Sequence, residues 1–306
     1  MGTTDLSGRV AVVTGAGAGL GRAEALALAV AGADVVVNDV GDAADTVVAE
    51  IQALGRRAIA VKGDVSDWQL GATMVEAAVA ELGSLDIVVN NAGIIRDGML
   101  FNLTEKMWDD VIRVHLKGHA ALCHAASVHW RAQAKSTGNP VSASIVNTAS
   151  EAFLFGGPGQ SNYAAAKSGI VALTLSVAQG MSRYGVRANA IAPRARTEMT
   201  AHVFEDPTEA GGLDILAPER VGTMVSYLAS DAAAQINGQV FVVYGDMVAL
   251  LAPPTVEQKF TSSTGAFSTD ELAQLVSPYF EDRPAAKNFA ARSVAALDTT
   301  GVGNKS

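Results

Sequence analysis

The sequence predicts an α/β protein built on a doubly wound parallel sheet. Short β-branched runs alternate with Ala/Leu/Glu-rich stretches of helical length through most of its 306 residues. The runs are apolar at every position rather than every second one, which marks strands buried on both faces. A glycine-rich turn separates the first run from the first helical stretch, the place where doubly wound sheets bind ligands.

The elements follow in order. Strands are expected at Val10–Val13, Asp34–Asn38, Ala58–Val61 and Asp86–Val89. Between them, "RAEALALAVAGA", "AADTVVAEIQALG" and "WQLGATMVEAAVAELG" have the length and composition of helices. A long helix is expected from the cap Thr104 to about Ala134, then a strand at Ser144–Thr148 and a helix carrying "SNYAAAKSG". A strand at Val186–Ile191, a helix from Pro218 to Ala229 and a strand at Gln239–Val243 complete seven strands. No repeat or linker interrupts residues 1–245, which read as one domain. Residues 246–306 change texture, with loop-like "LAPPTVEQKFTSSTGAFS" and one plausible helix in "TDELAQLVSPYF". They read as a C-terminal extension serving the substrate pocket or contacts between copies.

Composition narrows the function. At 49% hydrophobic the chain can bury a sizeable core, and its formal net charge of −9 disfavours nucleic acid or an anionic membrane as partner. An acidic coenzyme is still allowed, because backbone N–H groups bind phosphates without lysine. Cys123 is the sole cysteine, which fits a reducing compartment and excludes an internal disulfide or a multi-thiolate metal site. The start lacks the build of a secretory signal. The longest apolar run, "VFVVYGDMVALLA", is broken at Gly245 and Asp246 and is too short to span a bilayer. A soluble cytoplasmic protein is expected.

"VVTGAGAGLGRAEALAL" places Gly15, Gly19, Leu20 and Gly21 between strand and helix. Glycine there allows a tight turn and lets a pyrophosphate approach the helix N-terminus, so residues 1–245 are expected to bind a dinucleotide. Asp39 ends the second strand, where an acidic side chain bonds an adenosine ribose and repels a 2′-phosphate. It argues for NAD over NADP, as does the absence of Lys or Arg at Ala16, Gly17 and Ala18. Asp39 also suits a turn cap ahead of Gly41. Asp64 and Val65 follow the third strand; Asn91, Ala92 and Gly93 follow the fourth. Each group alone reads as an Asx turn, but together they outline one cofactor crevice. Tyr163 and Lys167 share a helix face at i and i+4, with only alanines between them. The plain alternative is an Ala-rich helix with an exposed lysine and a half-buried tyrosine.

"TGAGAGLG", Asp64, "NNAG", Ser150 and "YAAAK", in that order, resemble the short-chain dehydrogenase/reductase family, whose Rossmann-like fold would cover about residues 6–245. "VVVND", "NNAGIIRDGML", "VIRVHLKGH" and "APRARTEMT" resemble the (3R)-hydroxyacyl-CoA dehydrogenase domain of type 2 peroxisomal multifunctional enzymes. They are also similar to bacterial 17β-hydroxysteroid and 3-hydroxyacyl-CoA dehydrogenases. The resemblance implies NAD-dependent oxidation of a 3-hydroxyacyl-CoA, in the (3R) form and with a straight or steroid-linked acyl chain, or of a 17β-hydroxysteroid, by a homodimer or homotetramer.

It also implies roles. Tyr163 would be the general acid/base, Lys167 would stabilise its phenolate and bond the nicotinamide ribose, and Ser150 would hold the reacting oxygen. Pro193 and Thr197 would lie at the nicotinamide. His115 stands where many members carry an asparagine of a proton relay; it could serve that relay, or bond a carbonyl and lock a kink. Pro193 is followed by Arg194 where the family has glycine, so Arg194 and Arg196 read either as solvated charges or as attractors of a coenzyme A phosphate. Residues 205–217 suggest a mobile lid. Two rivals stand beside this reading. An NADPH-dependent 3-ketoacyl reductase is opposed by Asp39, and a non-catalytic NAD-binding regulator by the presence of Ser150, Tyr163 and Lys167 together.

Overall fold

The apolar runs become strands because successive side chains find cores on opposite faces of one sheet. In β2 (Asp34–Asp39), Val35 and Val37 join Leu28, Ile51 and Leu228 on one side. Val36 joins Val12, Leu122, Trp130 and Ile145 on the other. Both faces are covered, so alternation has nothing to report. The computed structural model describes residues 3–196, 214–281, 289–290, 294 and 297.

The first half contains β1 (Val10–Thr14), α1 (Gly19–Val30), β2, α2 (Ala43–Ala53), β3 (Ala58–Lys62), α3 (Trp68–Ala77) and β4 (Ile87–Asn90). Then follow α4 (Glu105–Ile112), α5 (Gly118–Thr137), β5 (Ala143–Thr148), the short α6 (Ala152–Phe155), α7 (Ser161–Met181) and β6 (Val186–Arg194). After residue 213 come α8 (Pro218–Ala229), β7 (Val240–Tyr244), β8 (Met247–Leu250) and α9 (Thr269–Glu281). Strand order is β3-β2-β1-β4-β5-β6-β7-β8. The chain winds outward from β1 in one direction, then returns to β4 and winds in the other. The carboxyl ends of β1 and β4 therefore flank the switch point, where a crevice opens.

Two expectations are corrected. The sheet has eight strands rather than seven, because β8 folds back antiparallel on β7 with Tyr244 opposite Met247. Gly245 and Asp246 form the two-residue turn, with Gly245 at φ +60°. The extension thus begins with a strand of the main sheet. The single helix expected from Thr104 to Ala134 is two helices joined by a five-residue π-helical stretch, Arg113–Lys117. Thr104 does cap it, accepting a hydrogen bond from Met107 N at 3.2 Å. No helix among the described residues is long and apolar enough to cross a membrane.

Candidate active site

Every strand that feeds the site delivers its residues at a carboxyl end. The turn after β1 brings Gly15 to the end of β4: its φ is +61°, and a Cβ there would lie 2.7 Å from Ala92 Cα. Only glycine meets both demands. Gly21 has a different task, since a Cβ would overlap the Gly15 carbonyl oxygen; it seats α1 against the loop and does not line the cavity. Asn91 ties the two strand ends together, its Nδ2 donating to Thr14 O at 3.1 Å and Gly15 O at 3.2 Å.

The cavity at this switch point has a volume of about 680 Å³. Gly15, Gly19, Leu20, Asp39, Asp64, Val65, Asn91, Ala92 and Gly93 line it, and so do His115, Ser150, Tyr163, Lys167 and Pro193. Thus the site residues expected from sequence converge, apart from Gly21 and from Thr197, which lies outside the described residues. Residues 205–213 of the expected lid lie outside them as well.

At one end Asp39 accepts a hydrogen bond from Gly17 N at 2.9 Å and another from Val40 N at 2.7 Å. The carboxylate therefore braces the glycine loop and caps the following turn at once. Asp64 receives Arg113 Nη1 at 2.6 Å, and Arg113 also contacts Ser66 Oγ.

At the other end α7 presents Tyr163 and Lys167. Its placement is fixed by buried polar contacts: Asn90 Nδ2 donates to Asn147 Oδ1 at 2.9 Å, and Asn147 Nδ2 to Thr174 Oγ1 at 2.9 Å. Asn162, fully buried, donates to Arg96 O at 2.9 Å and Met107 O at 3.2 Å, and accepts from Tyr163 N at 2.8 Å. Buried amides are costly unless paired, so this network fixes one register for α7. Lys167 Nζ donates to Thr148 O at 2.6 Å and lies 5.5 Å from the centroid of the Tyr163 ring. The lysine is not the exposed residue of the plain alternative; it is buried, and burial lowers it to about 7 against the opposing charge of Glu24. Burial raises the Tyr163 phenol, with a hydrogen bond to Ser150 working in the opposite direction. Ser150 Oγ also accepts from Ala152 N at 3.2 Å.

His115 sits in the π-helical stretch. Its Nε2 lies 2.7 Å from Ile94 O and 3.0 Å from Ile94 N, while Nδ1 is buried without a partner. The ring meets Tyr163 edge-on at 5.2 Å between centroids. Gly93 makes room for it, since a Cβ there would overlap the imidazole. Burial drives this histidine down to about 3, with the charge of Lys167 adding, so it is neutral at physiological pH. Of the two expected environments, the carbonyl contact is the one present, within the π-helical stretch.

Sequence reasoning missed several neighbours. Arg96, Lys106, Asp110 and Arg113 also line the cavity, with Asp110 2.6 Å from Lys106 and 3.7 Å from Arg113. The i, i+4 and i, i+3 spacing on the exposed side of α4 was a usable signal. Glu24 of α1 was missed too. It is fully buried, neither oxygen has a hydrogen-bond partner, and burial pushes it to about 8 against the pull of Lys167. Neither arginine after Pro193 is a solvated charge. Arg194 meets Glu151 at 2.6 and 2.7 Å, and Arg196 meets Asp214 at 3.0 Å.

Known proteins are similar to this chain. The family model described as short chain dehydrogenase matches residues 9–208. The hydroxyacyl-CoA dehydrogenase ChsB1 of Mycobacterium tuberculosis is 53% identical over 298 residues, which is 94% of each chain. A peroxisomal hydratase-dehydrogenase-epimerase of Neurospora crassa is 39% identical over 254 residues, covering 80% of this chain and 27% of that longer one. The crystal structure of a short chain dehydrogenase from Mycobacterium avium superposes with a TM-score of 0.78 at 42% identity, covering 88% of this chain and 93% of its own. With its sheet, its glycine turn and its Ser-Tyr-Lys group accounted for, this chain belongs to the short-chain dehydrogenase/reductase family, oxidoreductases that bind a nicotinamide dinucleotide.

Proposed function

We propose that the protein is an NAD-dependent dehydrogenase that oxidises the secondary hydroxyl of a (3R)-3-hydroxyacyl-CoA to the ketone. The observation that carries the substrate class is the 53% identity, spanning 94% of both chains, with a hydroxyacyl-CoA dehydrogenase. The chemistry rests on Ser150, Tyr163 and Lys167 lining the same cavity as the glycine turn.

The residues present fit a dinucleotide. The cradle beside Gly15 would be filled by any side chain, and Asp39 stands beside the loop amide of Gly17, where a ribose hydroxyl would find an acceptor. A 2′-phosphate would meet that carboxylate instead. The nearest cation past the loop, Arg22, is committed to Glu50 at 2.7 Å. These features favour NAD, held by Gly15, Gly19, Asp39, Asp64 and Asn91 and by Lys167. When bound, the nicotinamide supplies the hydride acceptor.

The side chains supply the proton chemistry. Ser150 Oγ holds the substrate oxygen, and Tyr163 takes its proton as the carbon is oxidised. A buried phenol is a poor base, so the nearby ammonium matters: Lys167, at 5.5 Å from the ring centroid, favours the phenolate. With its own pKa brought to about 7, Lys167 can release a proton near neutrality and reset the pair.

The test is reduced-coenzyme formation at 340 nm, with NAD or NADP. Substrates are (3R)- and (3S)-hydroxyacyl-CoA thioesters, one of them sterol-derived, and a 17β-hydroxysteroid. NAD-dependent turnover of a (3R)-thioester well above the free steroid is expected. Turnover of the steroid alone reassigns the substrate; turnover only with NADP reassigns the coenzyme.

A further inference from the structure

Arg194 occupies the position after Pro193, and its surroundings give it a task that the reaction itself does not assign. Its guanidinium is bonded to Glu151 through Nε at 2.6 Å and Nη2 at 2.7 Å. Nη2 also donates to Val294 O at 2.7 Å, and the plane lies 5.0 Å over the ring of Tyr244. Only 17% of the arginine side chain and 10% of the glutamate side chain is exposed. One cation thus gathers the turn after β5, the end of β6, the end of β7 and Val294.

Both ends of this clamp touch functional structure. Glu151 is the residue after Ser150, within the turn that Ser150 Oγ closes on Ala152 N. Pro193, before Arg194, lines the cavity. Apolar contact adds to it: Val294 packs with Ala192 and Val242, joined by Leu154 and Phe155 of α6 and by Leu297. A bidentate fork fixes both direction and distance, whereas a lysine would fix only charge. A buried pair of this kind is held in one geometry rather than many.

We propose that Arg194 is a positioning residue through which the seating of Val294 and Leu297 sets the placement of Ser150 against Tyr163. The proposal rests on the reading of Ser150 as the hydroxyl that holds the substrate oxygen. It makes Val294 part of the catalytic geometry, its bond and the bond to Glu151 sharing one planar group. Loss of either bond lets that group turn, and the serine turn follows it.

The test uses the full chain. Arg194→Lys and Arg194→Met should lower kcat about tenfold or more, with KM for NAD unchanged within about twofold. The double variant Val294→Ser, Leu297→Ser leaves the ion pair intact but loosens that seating. It should also lower kcat, and combining it with Arg194→Met should cost no more than Arg194→Met alone. Native-state proteolysis should cut the C-terminal segment faster in both. Ser150→Ala is run alongside. If Ser150→Ala is inactive while the Arg194 and Val294/Leu297 variants turn over like wild type, the positioning role is refuted and the serine reading stands. If Ser150→Ala itself turns over normally, the serine reading fails. Should Arg194→Met not fold, Arg194→Lys and the Val294/Leu297 variant decide: wild-type kcat in both overturns the proposal.

Discussion

Replacing Glu24 with glutamine should flatten the pH dependence of stability in the alkaline direction. Glu24 is fully buried on α1, and neither carboxyl oxygen finds a donor. Burial raises it from 4.5 to about 8, with Lys167 opposing the rise. Between those two values the folded protein keeps a proton that the unfolded chain has released, so stability falls as pH rises through the window. The full displacement corresponds to about 5 kcal/mol, and about 3.5 kcal/mol of it falls between pH 5 and pH 8. That is a large part of the stability of an ordinary domain. Urea unfolding of wild type and Glu24→Gln at pH 5, 6.5 and 8, without coenzyme, reads the difference, because the titrating groups other than its coupled partner Lys167 cancel. The wild type should lose about 3.5 kcal/mol more than the variant over this range. Parallel curves would refute the reasoning and mean that Glu24 is solvated in the folded protein.

Four further outcomes are expected. Tyr163→Phe should lower kcat by about 10²- to 10⁴-fold while a thermal shift with NAD is retained; an active variant would remove the tyrosine from its role. His115 is depressed from 6.5 to about 3, so the folded state resists a proton that the unfolded chain accepts, and stability falls as pH drops below 6.5. His115→Asn should remove about 2 kcal/mol of the loss between pH 7 and pH 5, read by urea midpoints. Gly93→Ala puts a methyl group into the His115 ring and should cost about 1–3 kcal/mol in the same assay. Asp39→Asn should shift the NADP/NAD ratio of kcat/KM towards NADP by about tenfold or more, and an unchanged ratio would separate Asp39 from coenzyme choice.

Much of this was legible because local chemistry and tertiary demand agree. The continuous apolar runs at Val10–Val13 and Asp34–Asn38 have two cores to fill, and Gly15 has both a positive φ and a close neighbour. The eighth strand is legible in principle: Gly-Asp between "VFVVY" and "MVALLA" is a hairpin signal as well as a break in one apolar run. The π-helical stretch had no local marker, with neither proline nor an internal glycine in "RVHLK". It coincides with the contact between His115 and Ile94, which only the folded chain brings together. The sequence around Arg194 carries no sign of its ion pair, because its partners lie 43 and 100 residues away. Nothing local in "RAEALALAVAGA" marks Glu24 as interior, yet it is fully buried.

The extra residue wound into Arg113–Lys117 also governs which changes of length this region tolerates. Each residue of an α-helix turns the chain about 100° and advances it about 1.5 Å. Five residues of π-helix turn the chain about as far as four of α-helix, so removing one residue from this stretch would let α4 and α5 fuse into a regular helix without turning either end. Thr104 with its capped turn and Trp130, whose Nε1 donates to Leu85 O at 2.7 Å, would keep their facing, and the loss would fall on the contact between His115 and Ile94. A single-residue deletion elsewhere in α4 or α5 has no such slack and would turn one end of the pair by about 100° against the other.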